Sequence, residues 1–467
     1  MNVQSVHDLL SGREKVTLAM QEITAVKKGY QVLEQWVSRQ PDFDVEAVLE
    51  QQRTLLSGKL SSKERGKAVA PEYVRAAMLA RFCTFLWGNS GVHFDAVLQL
   101  MHFLNKGITP FMPLEVANGD ERLRLVDMAA ALTGKGMVWY KGNWCAASEA
   151  MAAEGIPPLV LRLRDGFALT CGCPLEKGAA MLLVEKIPSM ISTAMMLSMW
   201  ANELNGTVSD FVSGEAMSSN RQWGVQQMSA SLRHAAEGSR CLRHQESFAA
   251  TERLSGEVCG DWLLTAPQQL GALYDSWESS LNVITNSYNS IDDAFASDEK
   301  GNFYISGNGC GDALLLEMEK LVLLARRLCS MLRHQTVFFD AMLSMPESWR
   351  KEIKRICALW PEAENEPQGE TEPDFQCETD VELPSSEIGE CMSVILRTEW
   401  NLKRVWKHLA MESMVLARAT VILQKQPLLA RQTAALSEAV SPFLEKEPAV
   451  VLPELVKCLQ QQEWQLM

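Results

Sequence analysis

Apolar side chains recur at three- and four-residue spacing through most of this chain, and that repeat limits the folds open to it. Residues 73–87, YVRAAMLARFCTFLW, carry the pattern, as do residues 314–333 and 392–423. The spacing puts an apolar stripe on one side of a helix, whereas a half-buried strand would alternate every second residue. The spacing therefore predicts a mostly α protein. Pro71 marks a helix start, and Asn89-Ser90-Gly91 ends that helix before a second one over 94–105. The β content predicted is small: a hairpin of Met137–Tyr140 and Asn143–Cys145 turning at Lys141-Gly142, and short strands near 303–306. Ser148 is placed to cap the helix that runs to Gly155.

Composition narrows the class. With 467 residues the chain has room for about three domains. It is 47% hydrophobic and 22% charged, which supplies a large core. A net charge of -14 with no basic block argues against a nucleic-acid partner. The most apolar window, 178–201, contains Glu185, Lys186 and Pro188 and reads as a buried core helix rather than a membrane span. The opening residues lack a basic stretch followed by an apolar one, so no signal peptide is expected. Twelve scattered cysteines fit a reducing cytoplasm better than a disulfide framework. Residues 361–382 hold nine acidic residues, three prolines and no basic residue, and are expected to form a solvated, mobile linker. No internal repeat is present.

The motifs are more specific in combination than singly. Gly88-Asn89-Ser90-Gly91-Val92 precedes Leu104-Asn105-Lys106-Gly107-Ile108-Thr109-Pro110. Then come Gly119-Asp120, Tyr140-Lys141-Gly142 and Gly166-Phe167-Ala168-Leu169. Farther on stand Ala266-Pro267-Gln268, Asn289-Ser290-Ile291-Asp292-Asp293 and the turn Ser306-Gly307-Asn308-Gly309-Cys310-Gly311. In this order the set resembles the histidine and aromatic amino-acid ammonia-lyases over about three quarters of the chain. The resemblance implies an elongated helical bundle with a small β-hairpin in the N-terminal part, and a homotetramer built on central helices such as 178–201 and 314–333. A hetero-oligomer with a paralogue is the other assembly considered. It also suggests a division into a lyase-like segment 1–135, a long-helix bundle 136–360, the acidic linker 361–382 and C-terminal helices 383–467.

The resemblance implies a reaction as well. The family's lyases remove ammonia from an α-amino acid with a methylidene-imidazolone electrophile made from Ala-Ser-Gly in the chain itself. The glycine nitrogen closes a ring on the alanine carbonyl, and the serine then loses its hydroxyl as water. The corresponding residues here are Ala117, Asn118 and Gly119, and asparagine has no hydroxyl to eliminate. One residue is inserted just after Asp120. The family's glycine-rich loop with its catalytic tyrosine has no counterpart in 37–60. Cys171-Gly172-Cys173-Pro174 replaces Asn-Gly-Thr-Gln. Leu264 stands where an arginine grips the substrate carboxylate. Asn308 is retained, whereas Gly309 and Cys310 fall at the aromatic and histidine positions of the family's turn, and Glu390 is what is left of Gln-Glu-Asp.

No catalytic residues, cofactor or metal are therefore expected. Ala117, Asn118, Gly119, Cys171, Leu264, Asn308, Gly309 and Glu390 are read as the remnant of a site. A Cys-x-Cys pair with Cys310 or Cys391 suggests metal only weakly, and buried thiols are the better reading. His93 and His102 do not make a His-Glu-x-x-His pair, and no phosphate-binding glycine loop occurs. The function expected is a pseudoenzyme acting as partner, scaffold or binding subunit. The alternative is a working ammonia-lyase, or an enzyme with altered chemistry in the same cavity.

Overall fold

Helix Pro71–Phe85 starts on its proline, where the missing N–H costs nothing, and is buried on nearly every side. Helix Pro174–Val184 lies against it. The approach depends on a small residue: a Cβ on Gly178 would stand 2.5 Å from the Ala76 carbonyl carbon and 2.7 Å from the Ala77 nitrogen. The two helices form the centre of one core, mostly apolar but with Arg81 and Lys177 buried in it. Helix Phe94–Lys106 packs beside Pro71–Phe85. His93 caps its start by accepting from the Asp95 N–H at 3.2 Å, and Gly107 ends it with φ 65°.

The structure is a computed structural model describing residues 1–57, 67–244, 246, 261–298, 300, 302–342, 347–357 and 389–462. The acidic segment 361–382 lies outside the described residues. The chain forms two compact units. One takes Met1–Glu185, Leu281–Glu319 and Gln376–Arg397; the other takes Lys186–Ser280, Lys320–Phe375 and Thr398–Met467. The described residues are mostly helical, as the periodicity predicts.

In the first unit the predicted hairpin is present. Met137–Tyr140 pairs antiparallel with Asn143–Ala146, with Trp139 opposite Trp144, and Thr109–Pro110 adds a third strand. Lys141 and Gly142 have φ of 47° and 84°, the pair of positive angles a two-residue hairpin turn requires. The second expected β element is Phe303–Ile305, paired with Phe295–Ser297. Ser148 does not cap the helix after the hairpin. That helix is Ala147–Glu154, with Ala146 at its cap and no side-chain cap bond. The cap falls two residues before Ser148, where the strand ends at Ala146 opposite Met137.

In the second unit, helix Ile187–Asn205 is the buried rod. Trp200 donates its Nε1–H to Thr420 Oγ1 at 2.9 Å, and Gln335 donates to Ser198 Oγ at 2.7 Å. Glu203, fully buried, accepts from the Ala430 N–H and the Thr433 hydroxyl. The expected 178–201 core helix is interrupted at Glu185–Lys186, and its parts end one unit and begin the next. The span 165–205 is apolar enough to cross a membrane, but its most apolar window is 72% buried within the protein.

Candidate functional site

Two residue groups that the sequence singles out meet in the first unit. The first surrounds Ala117–Gly119, which forms a single 3-10 turn. Gly119 donates its N–H to the Val116 carbonyl at 3.0 Å, and the Ala117 carbonyl accepts from the Asp120 N–H at 3.2 Å. Asp120 then holds Arg122 through two contacts of 3.1 Å. Gly389 packs directly on this turn with φ 78°. A Cβ there would fall 2.8 Å from the Gly119 carbonyl oxygen and 2.4 Å from Glu121 Oε1. Glu390, exposed, opens the long helix Glu390–Ile422 at the same place.

Glu121, the residue after Asp120, lies beside the turn. Its carboxylate is paired with the buried Arg124, which also donates to the Pro113 carbonyl at 3.0 Å and the Leu114 carbonyl at 2.5 Å. Burial pushes the Glu121 carboxyl up, against the pull of Arg124 and of the backbone amides of Cys391 and Met392. Next to it is Glu176. Burial, followed by the neighbouring Glu121 and Asp292 carboxylates, pushes its pKa up to about 7. The buried Cys391 thiol is hydrogen-bonded to Glu176 and is itself pushed well up by burial and by the Glu176 and Glu121 charges.

The second group surrounds Cys171 and the 306–311 turn. Cys171 Sγ accepts from the Ala294 N–H at 3.3 Å. The exposed Asn308 and the partly buried Gly309 lie alongside, and a Cβ on Gly309 would stand 3.6 Å from Gly172 Cα. Both segments rest on Asp292. This carboxylate accepts from the Cys173 N–H at 3.0 Å, Thr84 Oγ1 at 2.8 Å and Arg81 Nη1 at 3.2 Å, with Lys177 Nζ 3.3 Å away. Asp293 accepts from Arg81 Nη2 and Arg164 Nη2, each at 2.9 Å. Burial alone would raise both carboxyls. Arg81 first, then Lys177 for Asp292 and Arg164 for Asp293, bring them below the usual range.

Leu264 is not part of either group. It ends the short helix Asp261–Leu264 in the second unit, partly buried. Where the family's tyrosine loop is expected, residues 45–57 form a helix. Its Gln52 is bolted to residues 163–166, accepting from the Gly166 N–H at 2.7 Å and donating to the Leu163 carbonyl at 2.6 Å. Among the described residues no three His, Cys, Asp or Glu side chains converge as a metal site.

Sequence reasoning noticed the Asn-Ser-x-x-Asp corner but not its partners. Arg81, Arg164 and Lys177 come from helices and loops more than a hundred residues away, and nothing local marks them. Glu121 and Glu176 were also missed. The one-residue insertion expected after Asp120 is the nearest signal for Glu121.

The aromatic amino acid lyase family model matches residues 1–345. A tyrosine ammonia-lyase of Cupriavidus metallidurans is 27% identical over 339 residues, which is 69% of this chain and 62% of that enzyme. A histidine ammonia-lyase of Alkaliphilus metalliredigens is 28% identical over 182 residues, covering 38% of this chain and 36% of its own length. The chain therefore spans less than two thirds of either relative. Among solved structures, tyrosine aminomutase from Streptomyces globisporus superposes with a TM-score of 0.80 at 20% identity, over 99% of this chain and 95% of that one.

Proposed function

Because the chain belongs to the aromatic amino acid lyase family, we propose that it keeps the family's fold as a pseudoenzyme, serving as a partner, scaffold or binding subunit in a biosynthetic pathway. The observation that carries this reading is the 117–119 turn. A methylidene-imidazolone requires the Gly119 nitrogen to bond to the Ala117 carbonyl carbon, and a hydroxyl on the middle residue to leave. Here that nitrogen donates to Val116, that carbonyl accepts from Asp120, and the middle residue is Asn118. The residues present do not fit the group.

The rest of the pocket supports the same reading. Glu121, an anion, sits beside the turn with its own arginine. Where the resemblance puts an arginine for the substrate carboxylate, the chain has Leu264, which carries no guanidinium. The helix 45–57 takes the place of a loop bearing a tyrosine base, a group usually worth about 10²–10⁴ in rate.

A second reading, an enzyme with altered chemistry in the same cavity, is favoured by one observation. A carboxyl with a pKa of about 7, such as Glu176, is suited to proton transfer at neutral pH. The two readings part on turnover. Purified protein is expected to form no urocanate, cinnamate or coumarate from histidine, phenylalanine or tyrosine, and no β-amino acid. Robust product of any kind overturns the pseudoenzyme reading.

We also place the protein in the cytoplasm and propose that it self-associates as a tetramer. Helix Asp312–Met342 supports the latter, since it leaves Leu316 70%, Leu323 58% and Val337 58% exposed along one face at multiples of seven residues.

A further inference from the structure

The thiols near the site fall into separate environments. Cys391 is buried and committed to Glu176. Cys171 is held by the Ala294 amide. Cys173 and Cys310 remain, and the Cys173 thiol lies against the backbone of residue 310. Cys173 is buried at the start of helix Pro174–Val184, with its sulfur 4.0 Å from the Cys310 carbonyl oxygen. Cys310 is exposed. Both line a small cleft of about 120 Å³, together with Lys177, Asp292 and Asn308.

The backbones around the two cysteines are in contact on both sides. A Cβ on Gly309 would stand 3.6 Å from Gly172 Cα, and one on Gly311 would stand 3.3 Å from Cys173 Cβ. A disulfide needs Cβ atoms about 3.5–4.5 Å apart and Cα atoms within about 7 Å. The backbone on one side of Cys310, at Gly311, already comes that close to Cys173, and on the other side Gly309 lies against Gly172. The glycines at 309 and 311 that flank Cys310 carry no side chain to stand between its sulfur and Cys173.

We propose that Cys173 and Cys310 are a redox pair that closes to an intramolecular disulfide when the protein meets an oxidised low-molecular-weight thiol such as glutathione disulfide. In the first step Cys310 gives its proton to water. Its sulfur attacks one sulfur of glutathione disulfide, the S–S bond breaks, and one glutathione leaves as thiolate. In the second step Cys173 loses its proton and attacks the Cys310 sulfur, and the second glutathione leaves. Two protein thiols are oxidised and one glutathione disulfide is reduced to two thiols. The exposed sulfur reacts first because it is the one a bulky disulfide can reach. Burial, with the Asp292 and Glu176 charges behind it, holds the Cys173 thiol well above its ordinary value, which makes the second step the slow one. Closure ties the 306–311 turn to the start of helix Pro174–Val184 and shuts the cleft between them. This inference does not depend on whether the protein is a pseudoenzyme.

The test is a thiol map of the full chain. Reduced protein is incubated at neutral pH with glutathione disulfide, quenched in acid, alkylated, digested and read by mass spectrometry without reductant. The expected time course is glutathione on Cys310 early, then a crosslinked peptide pair containing Cys173 and Cys310. Cys310→Ser, a change at an exposed position, removes both species and leaves the circular-dichroism spectrum unchanged. Glutathione that stays on Cys310 without resolving overturns the proposal. So does a Cys310 that pairs with Cys171 or Cys391, or one that stays a thiol while others react.

Discussion

Replacing Asp292 by alanine removes four interactions from the interior of the first unit. The Arg81 and Lys177 contacts are both between charges that have lost nearly all their water, with side-chain exposures of 0% and 2% against 3% for Asp292. The other two are the Thr84 hydroxyl and the Cys173 N–H. Arg81 keeps Asp293 and the Ala168 carbonyl, and Lys177 keeps the Ser290 carbonyl at 2.7 Å, so neither cation is stranded completely. Asp293 would nonetheless be left to both Arg81 and Arg164, and the buried Lys177 would lose its carboxylate partner. Breaking a buried pair from one side typically costs about 3–5 kcal/mol, so Asp292→Ala should destabilise the unit by about that amount. The assay is urea unfolding followed by circular dichroism. Asp292→Asn should lie between the variant and the wild type, because the amide still accepts from Thr84 or Cys173 without neutralising a cation. The depressed carboxyl pKa fixes the sign of the pH effect. The Asp292 contribution is present above its unfolded value of 3.8 and is lost as pH falls through the lower folded value, so the two variants and wild type should converge in acid. A loss under about 1 kcal/mol at neutral pH would refute the claim that this corner holds the site segments together.

Gly178→Val should leave little soluble folded protein, since its side chain would enter the Ala76–Ala77 backbone and overpacking costs about 1–3 kcal/mol even where neighbours yield; a normal melting curve would show that the two helices can separate. Asp165 and Glu176, both raised to about 7, act opposite to Asp292: their contribution is complete below the unfolded values of 3.8 and 4.5 and is lost as pH rises through about 7. Asp165→Asn should therefore flatten the decline in urea midpoint toward neutral pH, and an unchanged slope would count against the assignment. Leu323→Glu should lower the assembly state seen by light scattering after size-exclusion chromatography if the exposed stripe on helix Asp312–Met342 is an interface; an unaltered mass would remove that surface from consideration.

The fold was legible because it is written locally. The helical spacing in 73–87, the Lys141-Gly142 turn and the proline at 71 each act on their own few residues. The helix break falls at Glu185–Lys186, two charges beside Pro188 that the sequence reading uses only to exclude a membrane span. At Asn118 the residue type alone raises the question of whether the electrophile can form, whereas nothing in the residue type of Glu121 points to its place beside the turn. It was illegible where function of a side chain depends on distant partners. Arg81, Lys177 and Asp292 are ordinary residues until the chain brings them together, and Glu176 gains its raised pKa only from the carboxylates that fold beside it.

The account turns on whether the Ala117–Gly119 turn is ordinary backbone. Methylidene-imidazolone formation removes two waters from a chain, so an intact-mass measurement on the purified protein tests it directly. The account predicts the full mass of the 467-residue sequence, with the peptide spanning Ala117, Asn118 and Gly119 unmodified on digestion. A chain lighter by two waters, with the loss mapped to that peptide, would contradict it.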